Sequence, residues 1–266
     1  MLTTVPRRLT LELLEGVPGR WVAHVSATEP GWVAGTALLD PSAAPDSAGT
    51  WRVLCSDGDH AAAGDPIVEV TGSAWEIAVA EDHVLGVLGF AGGIAKRARQ
   101  LVAVAPPELR IVCGGWKKLP VAMKPVLRAG LDVAGIGHRL LDGDFVYVAK
   151  TVASMHGGVL AATRAAVALG SGPVAIQVAT VDEALVAASA GCGVVMVDTG
   201  EIKDVEAAVL ALRGAGFDQP VAFGGGVTAG DLHAAHAAGA TIVDIGRAII
   251  DAPLWDLHLD VIRRDA

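Results

Sequence analysis

The chain is poor in the features that would tie it to an oxidising compartment, a membrane or a polyanion. Its 266 residues include three cysteines, Cys55, Cys113 and Cys192, scattered, odd in number and without a CxxC pair. That excludes a disulfide framework and a CxxC metal or redox motif; the expectation is buried, reduced thiols in a cytoplasmic protein. There is no long basic run and the net charge is -9, which argues against a nucleic-acid partner. An anionic ligand must be drawn in by a local cluster, not by the global field. The opening MLTTVPRRLTLELLEG lacks the apolar stretch of a signal peptide. The longest apolar runs are broken by glycines and charges, so no segment is expected to span a membrane.

What is present is apolar and small. The composition is 52% hydrophobic and 18% charged, with 33 glycines, which suits a tightly packed α/β protein of one large, or one small and one large, domain. Up to about residue 106, after a short helix expected at Leu9 to Leu14, β-like runs recur at Trp21 to Ser26, Gly31 to Leu39, Thr50 to Cys55 and Pro66 to Thr71. Turn signals such as Ser56-Asp57-Gly58-Asp59 and Ala63-Gly64-Asp65 separate them. Ala80 to Ala103 then shows apolar residues at three- and four-residue spacing, predicting a helix. From residue 107 the rhythm changes. Strand candidates at Arg110 to Cys113, Val133 to Gly135, Phe145 to Val148, Val174 to Val178, Val194 to Val197, Val221 to Phe223 and Ile242 to Ile245 alternate with Ala-rich helices such as Val181 to Ala190 and Ile202 to Ala215. Repeated βα units of this kind predict a parallel sheet, closed incompletely into a (β/α) barrel.

In such barrels chemistry sits at the C-terminal ends of the strands. After the first comes Gly114-Gly115-Trp116-Lys117-Lys118, whose lysines can hold a phosphate or carboxylate, or form a solvated turn. After the second come His138 and Arg139; the guanidinium is a planar fork for an anion, or one half of a structural ion pair. Asp198 ends the Val194 to Val197 strand; it can accept ribose hydroxyls, bind Mg2+, or cap the next helix. The last two strands run into Gly224-Gly225-Gly226 and into Gly246-Arg247, glycine loops of the kind that cradle phosphate. These observations together predict a barrel that binds a phosphorylated small molecule, and leave the reaction open.

Several stretches resemble the quinolinate phosphoribosyltransferase family. Gly58-Asp59 through Ala63-Gly64-Asp65 to Gly72 is similar to its N-terminal motif "dGd.v..G......G", and Glu81 to Ala95 to "ERtaLN....lSGIA". Gly114 to Val121 lies where the family has "DTRKTTPG", Val133 to Arg139 matches "GGGxNHR", and Phe145 to Val159 stands at "vlIKdNH....GGV". Ile176 to Thr180, Met196 to Thr199 and Ala222 to Gly226 fit "vEvET", "mLDN" and "ASGGI". The resemblance covers nearly the whole chain. It implies an N-terminal α/β sandwich (residues 1–106, with an interdomain helix) and a C-terminal open or incomplete (β/α) barrel (107–266) of the type II phosphoribosyltransferase kind, with the C-terminal segment free to return to the sandwich. It also implies a homodimer or higher homo-oligomer with shared active sites, and possible use of Mg2+.

By the same resemblance Lys117, His138, Arg139 and Asp198 are catalytic-site residues, and Gly225, Gly226 and Gly246 belong to phosphate loops. Trp116, Lys118, Lys150, Gly224 and Arg247 are further candidates for substrate or phosphate binding. Four positions depart from the family: Asp82 and Trp116 replace arginines, Ala149 a lysine, and Ala179 a glutamate that faces ribose and metal. Gly224 also replaces a serine. If the three cationic positions line the pocket, roughly +3 becomes roughly -1, reversing the local Coulomb term for a dianion. The leading expectation is a family enzyme that binds a phosphorylated sugar and uses an acceptor other than quinolinate. The alternatives are an authentic nicotinate-nucleotide-forming enzyme and a non-catalytic binding paralogue.

Overall fold

A computed structural model of the chain describes residues 13–14, 16–40 and 49–265. The helix expected at Leu9 to Leu14 lies outside them except for its last two residues. The chain divides into two compact units. One holds the described residues up to Arg97, together with Val121–Ala134 and everything from Pro253; the other holds Ala98–Pro120 and Gly135–Ala252.

The first unit is a helix on an antiparallel sheet. β1 (Arg20–Ala27) lies between β5 (Pro66–Gly72) and the final strand β12 (Leu257–Asp265), and β3 (Thr50–Val53) forms the edge beyond β5. One apolar face, made by Ala23, Val25, Val68 and Val70 among others, meets Ile77, Ala80, Val84 and Leu88 of α1 (Ala74–Val104). Their three- and four-residue spacing puts these side chains on one helical stripe. Each large side chain so buried stabilises the unit by about 1.5–3 kcal/mol. By length and composition α1 is long and apolar enough to cross a membrane, but half of its most apolar window is buried within the protein. It starts at Ala74, not Ala80. Ser73 N donates to Glu76 Oε2 at 2.6 Å and Glu76 N donates to Ser73 Oγ at 3.3 Å, the reciprocal pair of a capping box.

The run Gly31 to Leu39 is mostly not a strand. Only Gly31–Trp32 pairs as β2, with β4 (His60–Ala61), and Thr36–Leu38 forms a 3-10 turn after Gly35 at φ 90°. Asp57 accepts from Thr36 N at 2.9 Å and draws the chain out of extended geometry. Trp255, 2% exposed, anchors the return of β12: its Nε1 donates to the Glu29 carbonyl at 3.0 Å, and its ring occupies the space that a Cβ at Gly31 or Gly92 would need.

The second unit is a six-stranded parallel sheet. Its strands are β6 (Arg110–Val112), β7 (Val146–Val148), β8 (Val174–Val178), β9 (Val194–Val197), β10 (Val221–Phe223) and β11 (Ile242–Asp244), in the order β6-β11-β10-β9-β8-β7. Helices follow the strands: α3 (Lys150–Met155) and α4 (Val159–Ala168) after β7, α5 (Val181–Ser189) after β8, α6 (Ile202–Gly214) after β9, α7 (Leu232–Ala237) after β10 and α8 (Arg247–Ile250) after β11. All four residues of β9 are buried, as expected for a strand covered on both faces. The end strands β6 and β7 do not pair with each other, so the barrel is open.

The strand expected at Val133 to Gly135 is instead the end of a helix, α2 (Lys124–Ala134). Val126, Leu127, Gly130 and Leu131 recur on one helical face and are buried, and Gly135 terminates the helix at φ 69°. What remains of a second barrel strand is one parallel bridge between Val112 and Gly137.

Candidate active site

Period-two alternation decides which side chains reach the mouth of the barrel. Val112, Ala175, Val194, Met196, Ala222 and Ile242 form an interior cluster, with Phe145 and Tyr147 packed against it. Two residues further along the same faces lie Gly114, Gln177, Asp198, Gly224 and Asp244, and one interior step beyond Tyr147 and Gln177 lie Ala149 and Ala179. Lys117, Lys118, Trp116, His138 and Arg139 come from the loops after β6 and after the Gly137 bridge.

Two cavities open among these residues. One, of about 340 Å³, is lined by Trp116, Lys117, His138, Arg139, Tyr147 and Asp244, with Phe145 beside them. Here the cations lie over aromatic faces: Lys117 Nζ is 4.4 Å from the Tyr147 ring centre, and the Arg139 guanidinium carbon is 4.5 Å from that of Phe145. Asp244 accepts from Gly114 N at 2.5 Å. Burial raises its pKa above the usual carboxylate range, the Gly114 hydrogen bond lowers it, Asp198 raises it, and Lys117 and Lys118 lower it. Burial, then Asp244 and Asp198, push the Tyr147 phenol up, so it stays neutral.

The other cavity, of about 160 Å³, is lined by Lys150, Ser154, Gln177, Ala179, Glu183 and Asp198 among others. It is organised by hydrogen bonds. Gln177 Nε2 donates to Asp198 Oδ2 at 2.8 Å, while Gln177 Oε1 accepts from Lys150 N at 2.8 Å. Beside the short side chain of Ala179, Glu183 Oε2 accepts from Ala179 N at 2.7 Å. Asp198 opens to solvent on one side, yet the surrounding walls raise its pKa; Lys150, then Lys117 and Lys118, pull it back. Lys150 does not obey strand alternation, because β7 stops at Val148 and Lys150 opens α3 behind an extended Ala149. Its charge therefore acts on Asp198.

The glycine loops form a third part. Gly200 N donates to the Gly224 carbonyl at 3.0 Å, and Gly225 sits at φ 102°, its backbone against Gly200. A Cβ at Gly224 would clash with the Met196 methyl and lie 3.1 Å from Asp198 Oδ1, so a serine would need Met196 to move. A Cβ at Gly246 would lie 3.7 Å from Lys118 Nζ, which sets that ammonium beside the last loop. Gly226 is exposed. Arg247 lies apart: its Nε donates to Asp251 Oδ2 at 2.7 Å along its own short helix, and its side chain is 78% exposed.

Gln177, Asp244, Tyr147 and Glu183 are not singled out by motif or loop chemistry. Counting in twos from the apolar interior residues finds the first three; Glu183 is visible only as the third residue after the Thr180 cap, whose hydroxyl accepts from Glu183 N. Among the described residues no group of three or more His, Cys, Asp or Glu is placed to hold a metal. The three cysteines are free; Cys113 and Cys192 are buried, with thiols pushed up by burial to about 12 and about 11, whereas Cys55 is only half-buried.

A small antiparallel sheet with its helix, and an open parallel barrel with cations, carboxylates and glycine loops at its strand ends, define the class of type II phosphoribosyltransferase folds. The family models for the C-terminal and N-terminal domains of quinolinate phosphoribosyl transferase match residues 94–260 and 9–91, and the chain belongs to that family of phosphoribosyltransferases. Solved structures with the same fold include nicotinate-nucleotide pyrophosphorylases from Francisella tularensis (20% identity, TM-score 0.76, 96% of this chain and 90% of that one), Ehrlichia chaffeensis (17%, 0.80, 96% and 92%) and Pyrococcus furiosus (18%, 0.75, 95% and 72%). A search of curated proteins finds no match.

Proposed function

We propose that this chain is a phosphoribosyltransferase that binds a phosphorylated sugar, phosphoribosyl pyrophosphate or a nucleotide, and transfers to an acceptor other than quinolinate. The observation that carries this is the make-up of the larger cavity: Trp116 where the family has an arginine, and the Asp244 carboxylate on the same wall as Lys117. A second carboxylate on the ligand would meet a carboxylate and an indole there, and an unpaired buried carboxylate is costly. The smaller cavity, with Asp198, Lys150 and Gln177, suits the ribose and its phosphates, and the loops at Gly224, Gly225, Gly226 and Gly246 with Lys118 suit phosphate. Magnesium, if used, would rest on Asp198 and on the oxygens of the substrate's own pyrophosphate, a donor set that the ion accepts. The reading includes a cytoplasmic homodimer or higher homo-oligomer; Asp82, exposed on α1, stands where relatives carry a cation.

The opposing reading, authentic use of quinolinate, draws on Lys150, which supplies a cation close to where Ala149 lacks one. Calorimetric titration with phosphoribosyl pyrophosphate and magnesium, then with quinolinate, separates the two. Sugar-phosphate binding without quinolinate binding is the expected result. Binding of both, with nicotinate mononucleotide formed, establishes the authentic enzyme. Binding of neither sinks the transferase reading.

A further inference from the structure

Gly114 is a glycine for a reason that lies 130 residues away along the chain. It opens the 3-10 turn Gly114–Lys118 behind an extended Cys113, and its φ lies outside the left-handed region, so the backbone makes no demand for glycine. The demand comes from space. A Cβ at residue 114 would overlap Oδ2 of Asp244 and stand 2.8 Å from its Oδ1 and 2.9 Å from its Cγ. That carboxyl group ends β11, the strand paired with β6, and its Oδ1 accepts from Gly114 N at 2.5 Å. When the family's "DTRKTTPG" is laid on Gly114 to Val121, its aspartate falls on Gly114 and its lysine on Lys117. A carboxylate is therefore missing from the end of β6, and one from another strand fills the space where that side chain would begin. Lys117 and Lys118, on the turn that Gly114 opens, act on it as counter-charges.

We infer that this carboxylate has been transposed from residue 114 to residue 244 and, resting on the phosphoribosyl-transfer reading, that Asp244 is the positioning residue that holds the Lys117–Lys118 turn for the sugar phosphate. The two positions then work as one unit. Aspartate at both forces two carboxylates into one space. A short apolar residue at 244 opposite Gly114 leaves the Gly114 N–H without its acceptor and the turn without its tether. Aspartate at 114 with a short residue at 244 restores the arrangement of the family motif.

The test is a double-mutant cycle in the full chain: Gly114→Asp, Asp244→Ala and the two together, each followed by thermal melts and by calorimetric titration with phosphoribosyl pyrophosphate and magnesium. Each single change is expected to lower the Tm and to weaken sugar-phosphate binding by about tenfold, the size of a lost buried hydrogen bond. The double variant is expected to melt above either single one and to bind within about threefold of the wild type, since the two sites are coupled. The Asp244→Ala result separates position from charge, because removing a carboxylate by itself would draw an anion in more strongly. Asp244→Asn, which keeps an acceptor for Gly114 N, is expected to bind at least about fivefold more tightly than Asp244→Ala. Should Gly114→Asp fail to fold, Gly114→Ala closes the same cycle, with a Cβ that clashes opposite Asp244 and is tolerated opposite Ala. Additive effects in both readouts, or an Asp244→Ala protein that binds as well as the wild type, overturn the inference. The two readings fail separately. Absent sugar-phosphate binding by the wild type removes the transferase reading while coupled melts still support the transposition, whereas sugar-phosphate binding with additive changes removes this inference alone.

Discussion

The cavity around Asp198 is held by hydrogen bonds, and the cavity around Trp116 by aromatic faces. In the first, Gln177 ties Asp198 to the start of α3 through two bonds of 2.8 Å, so each group fixes the next. In the second, Lys117 and Arg139 lie over rings at 4.4 and 4.5 Å. Hydrogen bonds are directional and intolerant of change, whereas a cation over a ring keeps its charge over a range of positions. The difference teaches where charge can change at least cost: the aromatic cavity can alter its charge while the hydrogen-bonded cavity and the glycine loops keep their geometry.

The largest effect that would break this comparison comes from Asp198→Ala. If the hydrogen-bonded cavity carries the reacting ribose, turnover falls by about 10²–10³-fold, as when one charge-stabilising group is lost. Steady-state kinetics check it, and a loss of only a few-fold would move the reaction elsewhere. Gln177→Ala comes next. It strips partners from the half-enclosed Lys150 N–H and Asp198, with an expected cost of about 1–3 kcal/mol in denaturant unfolding and a higher KM for the sugar phosphate. Gln177→Glu at the same position sets a carboxylate beside Asp198 and should lose stability as both ionise.

The third prediction is a pH slope. Asp244 and Asp198 both have folded pKa values above their unfolded ones, so the folded state holds protons that the unfolded state has released. Their ionisation therefore destabilises the fold: stability falls as pH rises from the ordinary carboxylate pKa through the raised values, and is regained on acidification across that window. Asp244→Asn should flatten that slope in thermal melts at a series of pH values. The smallest effect sharpens the aromatic side. Tyr147→Phe keeps the ring under Lys117 and removes only a neutral phenol, so binding of the cavity's ligand should change by no more than about twofold, since a cation over a ring is worth about 0.5–2 kcal/mol and the face is retained. A large loss would assign the hydroxyl a role that the ring geometry does not.

Local signals carried much of the barrel. The Val-rich runs Val174–Val178, Val194–Val197 and Val221–Phe223, bounded by glycine, proline or aspartate, are strands over those same residues. Helix spacing likewise marked Val181–Ser189 and Ile202–Gly214 to within a residue. Val133 misled because a short apolar run reads alike as strand or helix, and here the stripe through Val126, Leu127 and Leu131 decided for the helix. Lys150, a candidate from the sequence, lies on the smaller cavity because β7 ends at Val148 and the chain turns there into α3.

By itself the sequence determined the βα rhythm, the loops that bear lysine, arginine and glycine, and the family, because these rest on periodicity and short motifs. Only the tertiary structure decided which of those groups meet. Asp244 reaches Gly114 across 130 residues and Gln177 reaches Asp198 across 21, because the sheet order sets β11 beside β6 and β9 beside β8. Parallel strands require long crossovers, so side chains that share a barrel mouth are far apart in the chain, and no local pattern records their meeting.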